Sequence, residues 1–306
     1  MRDAFNTELN CIASNDESVL LLTADIGFQV FDEFRENFPD RFYNVGVAEA
    51  NMLGMATGLT LSNKKVFVYT IIPFLTMRAF EQIRTDVCIM NQPVKIVGVG
   101  GGLSYGTLGP THHSIVDLAI LRSLPNMTVV CPCDPIESML ATRAATNYPG
   151  PIYIRLGKNG EDNLHTSEYD FQIGKSTSMR NGNDAVIISC GPVTGIALEA
   201  AEKLELNSID VGVQNMHTLK PIDKREILSI AKKTSLIITL EEHNIIGGLG
   251  SAVSEIISEM NCDVSVKRIG IRDNFCYGVG SQQYHLNKNG ISVEGIENII
   301  LSELNK

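Results

Sequence analysis

The chain has 306 residues, 44% of them hydrophobic and 20% charged, with 35 acidic against 25 basic side chains and a formal net charge of −10. That length suits two domains rather than one, and the composition is that of a globular protein with apolar material for two cores. So acidic a chain, with no dense Lys/Arg stripe, argues against a nucleic-acid ligand, although one buried arginine is enough to hold a small anion.

No stretch approaches the roughly 18 apolar residues of a membrane span. The N-terminal run from Met1 to Asn6 lacks the apolar core of a signal peptide. Cysteines stand at 11, 88, 131, 133, 190, 262 and 276, with no framework spacing. An odd, scattered set fits a reducing compartment, so the expected location is the cytoplasm.

Read from the N-terminus, short β-branched runs alternate with longer segments of helical period, the pattern of parallel α/β architecture. Strands are expected at Val19–Thr23, Val66–Ile72, Val94–Val99, Met127–Cys131 and Ile152–Leu156, with helices at Glu49–Leu61, Leu75–Met90 and Pro135–Thr146. Residues 157–183 break the rhythm; they are polar, carry glycines at 157, 160, 174 and 182, and read as a linker. The alternation then restarts, with strands at Ala185–Cys190, Asp210–Gln214, Leu236–Leu240 and Val264–Ile269 and helices at Gly195–Leu204 and Gly250–Met260. The expected organisation is a doubly wound α/β domain over 1–156, the linker over 157–183, and a second over 184–306. Helices on both faces of mainly parallel sheets explain strands that are apolar throughout.

Several motifs invite a chemical reading. The glycines at 98, 100, 101 and 102 follow a strand, yet Leu103 stands where a dinucleotide fingerprint needs another glycine, and Gly247 to Gly250 opens a helix with no P-loop lysine. Both read as tight turns. Cys131-Pro-Cys133 has no second ligand pair to complete a zinc site and reads as a strand end. Glu49 sits in the first turn of a helix, among apolar neighbours, where a carboxylate complements the helix dipole or serves a ligand. Gly54 and Gly58 leave one face of that helix bare, open to another backbone. His112 and His113 lie in a long Gly/Pro-rich loop between strands, where catalytic residues gather; proton transfer, anion binding and a structural role all remain open there. Arg155, in an otherwise apolar strand, needs either an acidic partner or an anionic ligand.

Six segments in order resemble the transketolase family: Leu22 to Asp25, Asn44 to Glu49, Phe74 to Ile83, Gly109-Pro-Thr-His112, Arg122-Ser-Leu-Pro-Asn126, and Leu240 to Ser251. The similarity spans nearly the whole chain and covers the pyrimidine-binding and C-terminal domains of that three-domain enzyme. It implies a thiamine-diphosphate-dependent transferase of a two-carbon ketol, or an acyl unit, between carbonyl compounds. The family's remaining domain holds the cofactor diphosphate and Mg2+ through a Gly-Asp-Gly motif, absent from this sequence. The resemblance therefore implies a separate N-terminal partner subunit, two of each chain in the active species, and no metal on this one.

Roles carry over by position. Glu49 matches the glutamate that hydrogen-bonds the cofactor's aminopyrimidine and favours the imino tautomer, whose nitrogen removes the thiazolium proton; burial among apolar residues would raise its pKa. Phe74 and Phe80 match aromatics packed around the pyrimidine, Met77 replaces a third, and Asp25 matches an aspartate near the thiazolium. His112 matches a histidine close to the reacting carbons, and Arg155 an arginine that holds the substrate phosphate. Three departures stand out: Leu108 replaces an aspartate and Gly100 a histidine that contact substrate, and Phe28-Gln29 replaces a phosphate-binding serine region. Hydrogen bonds lost there weaken discrimination, so the standard pentose phosphates are not the expected substrates. The beta subunit of a 2-oxoacid dehydrogenase and a non-catalytic scaffold subunit are the alternatives. Deoxyxylulose-phosphate synthase is a further relative, though it normally carries all three domains on one chain. In the second domain, Glu242 and His243 are expected to be structural.

Overall fold

The computed structural model describes residues 1–158, 160–260 and 263–304; Cys262 lies outside them. Two mainly parallel sheets form the frame. The first contains β1 (Val19–Thr23), β2 (Phe42–Asn44), β3 (Lys65–Ile71), β4 (Lys95–Val99), β5 (Thr128–Val130) and β6 (Ile152–Leu156). The second contains β7 (Thr177–Arg180), β8 (Ala185–Cys190) and β9 (Val211–Asn215), then β11 (Leu236–Asn244) and β12 (Ser265–Ile271). Between β9 and β11 the chain sends β10 (Thr218–Lys220) back to the first sheet.

The orders are β10-β5-β6-β4-β3-β1-β2 and β12-β11-β8-β9-β7. Only the edges run antiparallel: Thr218 pairs with Val130, and Thr177 with Asn215. The strands β1, β4, β6, β8 and β9 are buried at every position, as sheets covered on both faces require. One apolar cluster fills one side of the first sheet around Phe5, Phe31, Phe67 and Ile154. The other side is filled by Leu22, Val68, Ile96 and Leu121, and that cluster runs on without a break into Ile188, Met216, Leu219 and Val253 of the second half.

Local sequence sets several boundaries. Asp134 accepts from the Glu137 amide at 2.7 Å and Pro135 occupies the first turn, so the helix Pro135–Thr146 starts where a cap and a fixed φ coincide. The helix Glu49–Leu61 also forms as read from the sequence. The stretch expected as one helix over Leu75–Met90 differs. It holds two π-helical segments, Phe74–Arg78 and Ile83–Ile89, around a single α-turn at Phe80–Gln82. A hydrophobic period alone does not separate these wider turns from α-helix, and π segments concentrate at functional sites. Thr177–Arg180, expected within the linker, is the edge strand β7.

Candidate active site

The sequence-predicted site residues gather at the carboxyl ends of the first sheet's strands, where open α/β sheets bind ligands. Asp25 follows β1, Phe74 follows β3, His112 lies in the loop after β4, and Glu49 begins the helix after β2. Asp25 holds a left-handed φ of 50°, tolerated by aspartate. It is clasped to Asn44: its amide donates to Asn44 Oδ1 at 3.0 Å, and the same oxygen accepts from Gly46. Asp25 itself is exposed.

Glu49 is 2% exposed. Its surroundings are not wholly apolar, as expected from sequence, because Arg78 Nη1 donates to both carboxylate oxygens at 2.8 Å. The Arg78 guanidinium also lies 4.7 Å over the Phe74 ring. Phe74 meets His112 edge-on at 5.2 Å, and Tyr105 stands 6.1 Å from that histidine. Glu49, Phe74 and His112 therefore form one connected group. Phe80 packs part-buried against the core, while Met77 is 47% exposed and free to be covered by something outside this chain.

His112 and His113 have separate tasks. His112 is half-buried with Nδ1 at 3.0 Å from Thr111 Oγ1. His113 is buried, faces Gly106 O through Nε2 at 3.3 Å, and packs against His285 of the second half. Burial lowers its pKa, consistent with a neutral ring.

Arg155 is buried within the first sheet. Expected to hold a substrate phosphate, it is 3% exposed and turned inward. Its Nε donates to Asp117 Oδ2 at 2.8 Å, and its Nη2 to Ser114 O at 2.8 Å and Glu242 O at 3.0 Å. Tyr153 donates to the same aspartate. Although burial pushes the other way, the guanidinium holds the Asp117 carboxyl below its ordinary value. The arginine is thus an ion-paired anchor between the two halves. An acidic partner 38 residues earlier in the chain was invisible to strand pattern. Lys158, just past β6, is half-buried, and its Nζ lies 5.0 Å over the Tyr105 ring. A lysine two residues past an apolar strand was the available signal.

Among the described residues the second half presents no comparable group. Glu241 accepts from the Leu249 and Gly250 amides at 2.7 and 2.8 Å, so the glycine-opened helix Leu249–Ser258 is capped by its own chain. Glu242 accepts from Leu103 N and Gln282 Nε2. Burial lowers His243 to about 4; its Nδ1 lies 2.7 Å from Asn244 O, and Ala119 N points at its Nε2. Both residues serve the contact between halves. Among the described residues, Cys133, Glu137 and His165 could together offer three metal ligands. Asn215 Nδ2 already occupies their midst, donating to both Glu137 oxygens at 2.8 and 3.0 Å and to Cys133 Sγ at 3.3 Å.

Residues 1–160 match the transketolase pyrimidine binding domain, and residues 174–296 the transketolase C-terminal domain. The chain belongs to the transketolase family. It is 35% identical to an apulose-4-phosphate transketolase subunit from Phocaeicola vulgatus, over 97% of this chain and 96% of that one. It is 36% identical to a 6-deoxy-6-sulfo-D-fructose transketolase subunit from a Clostridium species, over 97% and 92%. A solved split-gene transketolase, described as an inactive beta4 tetramer, superposes with a TM-score of 0.89 at 34% identity, over 99% and 97%.

Within this transketolase frame the three departures have visible settings. Leu108 ends a single 3-10 turn and is 53% exposed. Gly100 has a φ of 87°, and a Cβ there would meet the Tyr105 ring at 2.1 Å. The tyrosine and the missing histidine are therefore alternatives for one space. Phe28 is 70% exposed, and Gln29 takes a φ of 65°. Among the described residues no helix is long and apolar enough to cross a membrane.

Proposed function

We propose that this chain is the pyrimidine-side subunit of a two-chain, thiamine-diphosphate-dependent transketolase whose ketol donor is not a standard pentose phosphate. The observation that carries the reading is the connected group of Glu49, Phe74 and His112 at the sheet edge. Glu49 is a buried carboxylate already drawn to a flat, nitrogen-bearing cation, the chemistry an aminopyrimidine also offers. Phe74 supplies a face against which such a ring stacks. The residues thus fit the cofactor's pyrimidine end, which Glu49 would hold by a hydrogen bond and Phe74 by contact. Bound there, thiamine diphosphate supplies the nucleophilic carbon that accepts the two-carbon unit.

The rest falls to this chain's own groups. Glu49 fixes the protonation state of the ring nitrogen it touches. His112, with one nitrogen at Thr111 and its ring edge-on to Phe74, is placed to hold or move a proton on a substrate oxygen. Lys158 supplies the positive charge for a substrate anion, in place of the inward-facing Arg155. Side-chain hydrogen-bond donors and acceptors are missing at Leu108 and Gly100, and the Tyr105 ring forms the rim beside Gly100. A donor lacking one of the usual hydroxyls, or carrying another anionic group, fits that rim. One relative covering the same span is named for such a ketose, 6-deoxy-6-sulfo-D-fructose, and another for apulose-4-phosphate.

The diphosphate and Mg2+ fall to a partner subunit in this reading, in a complex with two copies of each chain in the cytoplasm. Calorimetric titration with thiamine diphosphate and Mg2+ tests it, using this chain alone and co-expressed with a Gly-Asp-Gly partner. Binding is expected only in the mixture; tight binding by the lone chain would refute the division of labour. Glu49→Ala in the mixture is expected to lower ketol transfer on the order of 100-fold or more, while leaving the assembly intact by gel filtration.

A further inference from the structure

Arg78 had no assigned task at the sequence level, and the site gives it two contacts, an ion pair and a ring contact. Its Nη1 donates to both oxygens of Glu49 at 2.8 Å, and its guanidinium carbon lies 4.7 Å over Phe74. A flat, cationic, nitrogen-bearing group lying over Phe74 and bonded to Glu49 takes up both partners proposed above for the aminopyrimidine. The π-helical turn Phe74–Arg78 presents both side chains from one segment. The arginine therefore covers the ring of its own π-turn.

We propose that Arg78 is a resident surrogate for the cofactor's pyrimidine, occupying its place in the cofactor-free chain and moving off Phe74 when the ring arrives. The inference rests on the function proposed above. Two flat groups do not stack on one aromatic face at one height, and the carboxylate is 2% exposed while the arginine side chain is 48% exposed. The asymmetry sets which partner moves. Glu49 is fixed at a helix start, whereas the arginine regains hydration as it swings outward. Without Arg78, the Glu49 carboxylate would be left buried and unpaired, which is costly. With it, the chain waits for its partner in a paired state, and cofactor binding first breaks an ion pair.

The test uses the complex of both subunits, comparing wild type with Arg78→Met and Arg78→Lys by calorimetric titration of thiamine diphosphate at saturating Mg2+. A partly exposed ion pair that must break before binding is expected to weaken the cofactor, so Arg78→Met is expected to bind on the order of five-fold tighter. Arg78→Lys, which keeps the charge without the flat face, is expected to fall between. In thermal unfolding of the cofactor-free lone chain, Arg78→Met should melt below wild type. An Arg78→Met complex that assembles yet binds the cofactor no tighter overturns the surrogate and makes Arg78 a standing partner of Glu49. Failure of the wild-type complex to bind at all instead overturns the functional reading.

Discussion

Lys95 opens β4, is 1% exposed, and its Nζ donates to Tyr148 O at 2.6 Å. Burial pulls its pKa from 10.5 to about 7. Between those values the unfolded chain carries a proton that the folded chain has shed, so stability rises with pH across that window. Lys95→Met lacks this titration. Urea unfolding at pH 7 and pH 9 should show the native chain gaining on the variant, by at most about 1.4 kcal/mol per pH unit. A constant gap would mean the buried ammonium keeps its proton. At this scale the sequence was a partial guide. Glu49, Phe74 and His112 are linked through Arg78 and a ring contact, and they sit at strand and helix ends that pattern could place. Arg155 was recognisable as an arginine needing a partner, but Asp117 and an anionic ligand satisfied the same pattern equally. Only the direction of the side chain separates them. Arg78 lay inside a quoted segment and stayed silent, because its meaning depends on a helix start 29 residues away.

The helix Glu49–Leu61 shows how far one element can be read. Its ends and its bare stripe were both legible, since glycines at i and i+4 leave no Cβ on one face. In the structure a Cβ at Gly54 or Gly58 meets nothing, while Met55 and Leu61 beside them are exposed. Gly58→Ala is therefore expected to stabilise the lone chain by up to about 1 kcal/mol in thermal unfolding, through helix propensity. Gly58→Trp should leave the lone chain folded by circular dichroism yet abolish its co-elution with the partner subunit. Full co-elution would move the partner's docking face elsewhere. The long strands and the Asp134-capped helix Pro135–Thr146 followed from period and boundary residues. The short edge strands β7 and β10, four and three residues long, did not, because so few positions carry no period and the pairing that defines them is distant. The π-helical turns were hidden for a related reason, since apolar spacing tolerates both i+4 and i+5 hydrogen bonding.

For the whole molecule, the sequence suggested two domains joined by a polar connector, and two sheets are present. What pattern did not reveal is how closely they are tied. Arg155 of the first half bonds Glu242 O of the second, Arg122 reaches Gly247 O and Glu255, and one apolar cluster spans both. A single cooperative unfolding transition is expected in calorimetry, with calorimetric and van't Hoff enthalpies in agreement. Two resolved transitions would show the halves to be independent.

The return of β10 to the first sheet also has a bearing on how the protein is made. Until Lys220 has left the ribosome, β5 is an uncapped border with unpaired amides and carbonyls, the kind of template on which nascent chains aggregate. Roughly 60 residues separate the end of β6 from β10, several seconds of synthesis at about 5–20 residues per second. During that interval the apolar ground that Met216 and Leu219 later cover is also open. The first half alone is thus a poor candidate for expression, and its yield in the cell should depend on chaperone supply in a way that the full chain's does not.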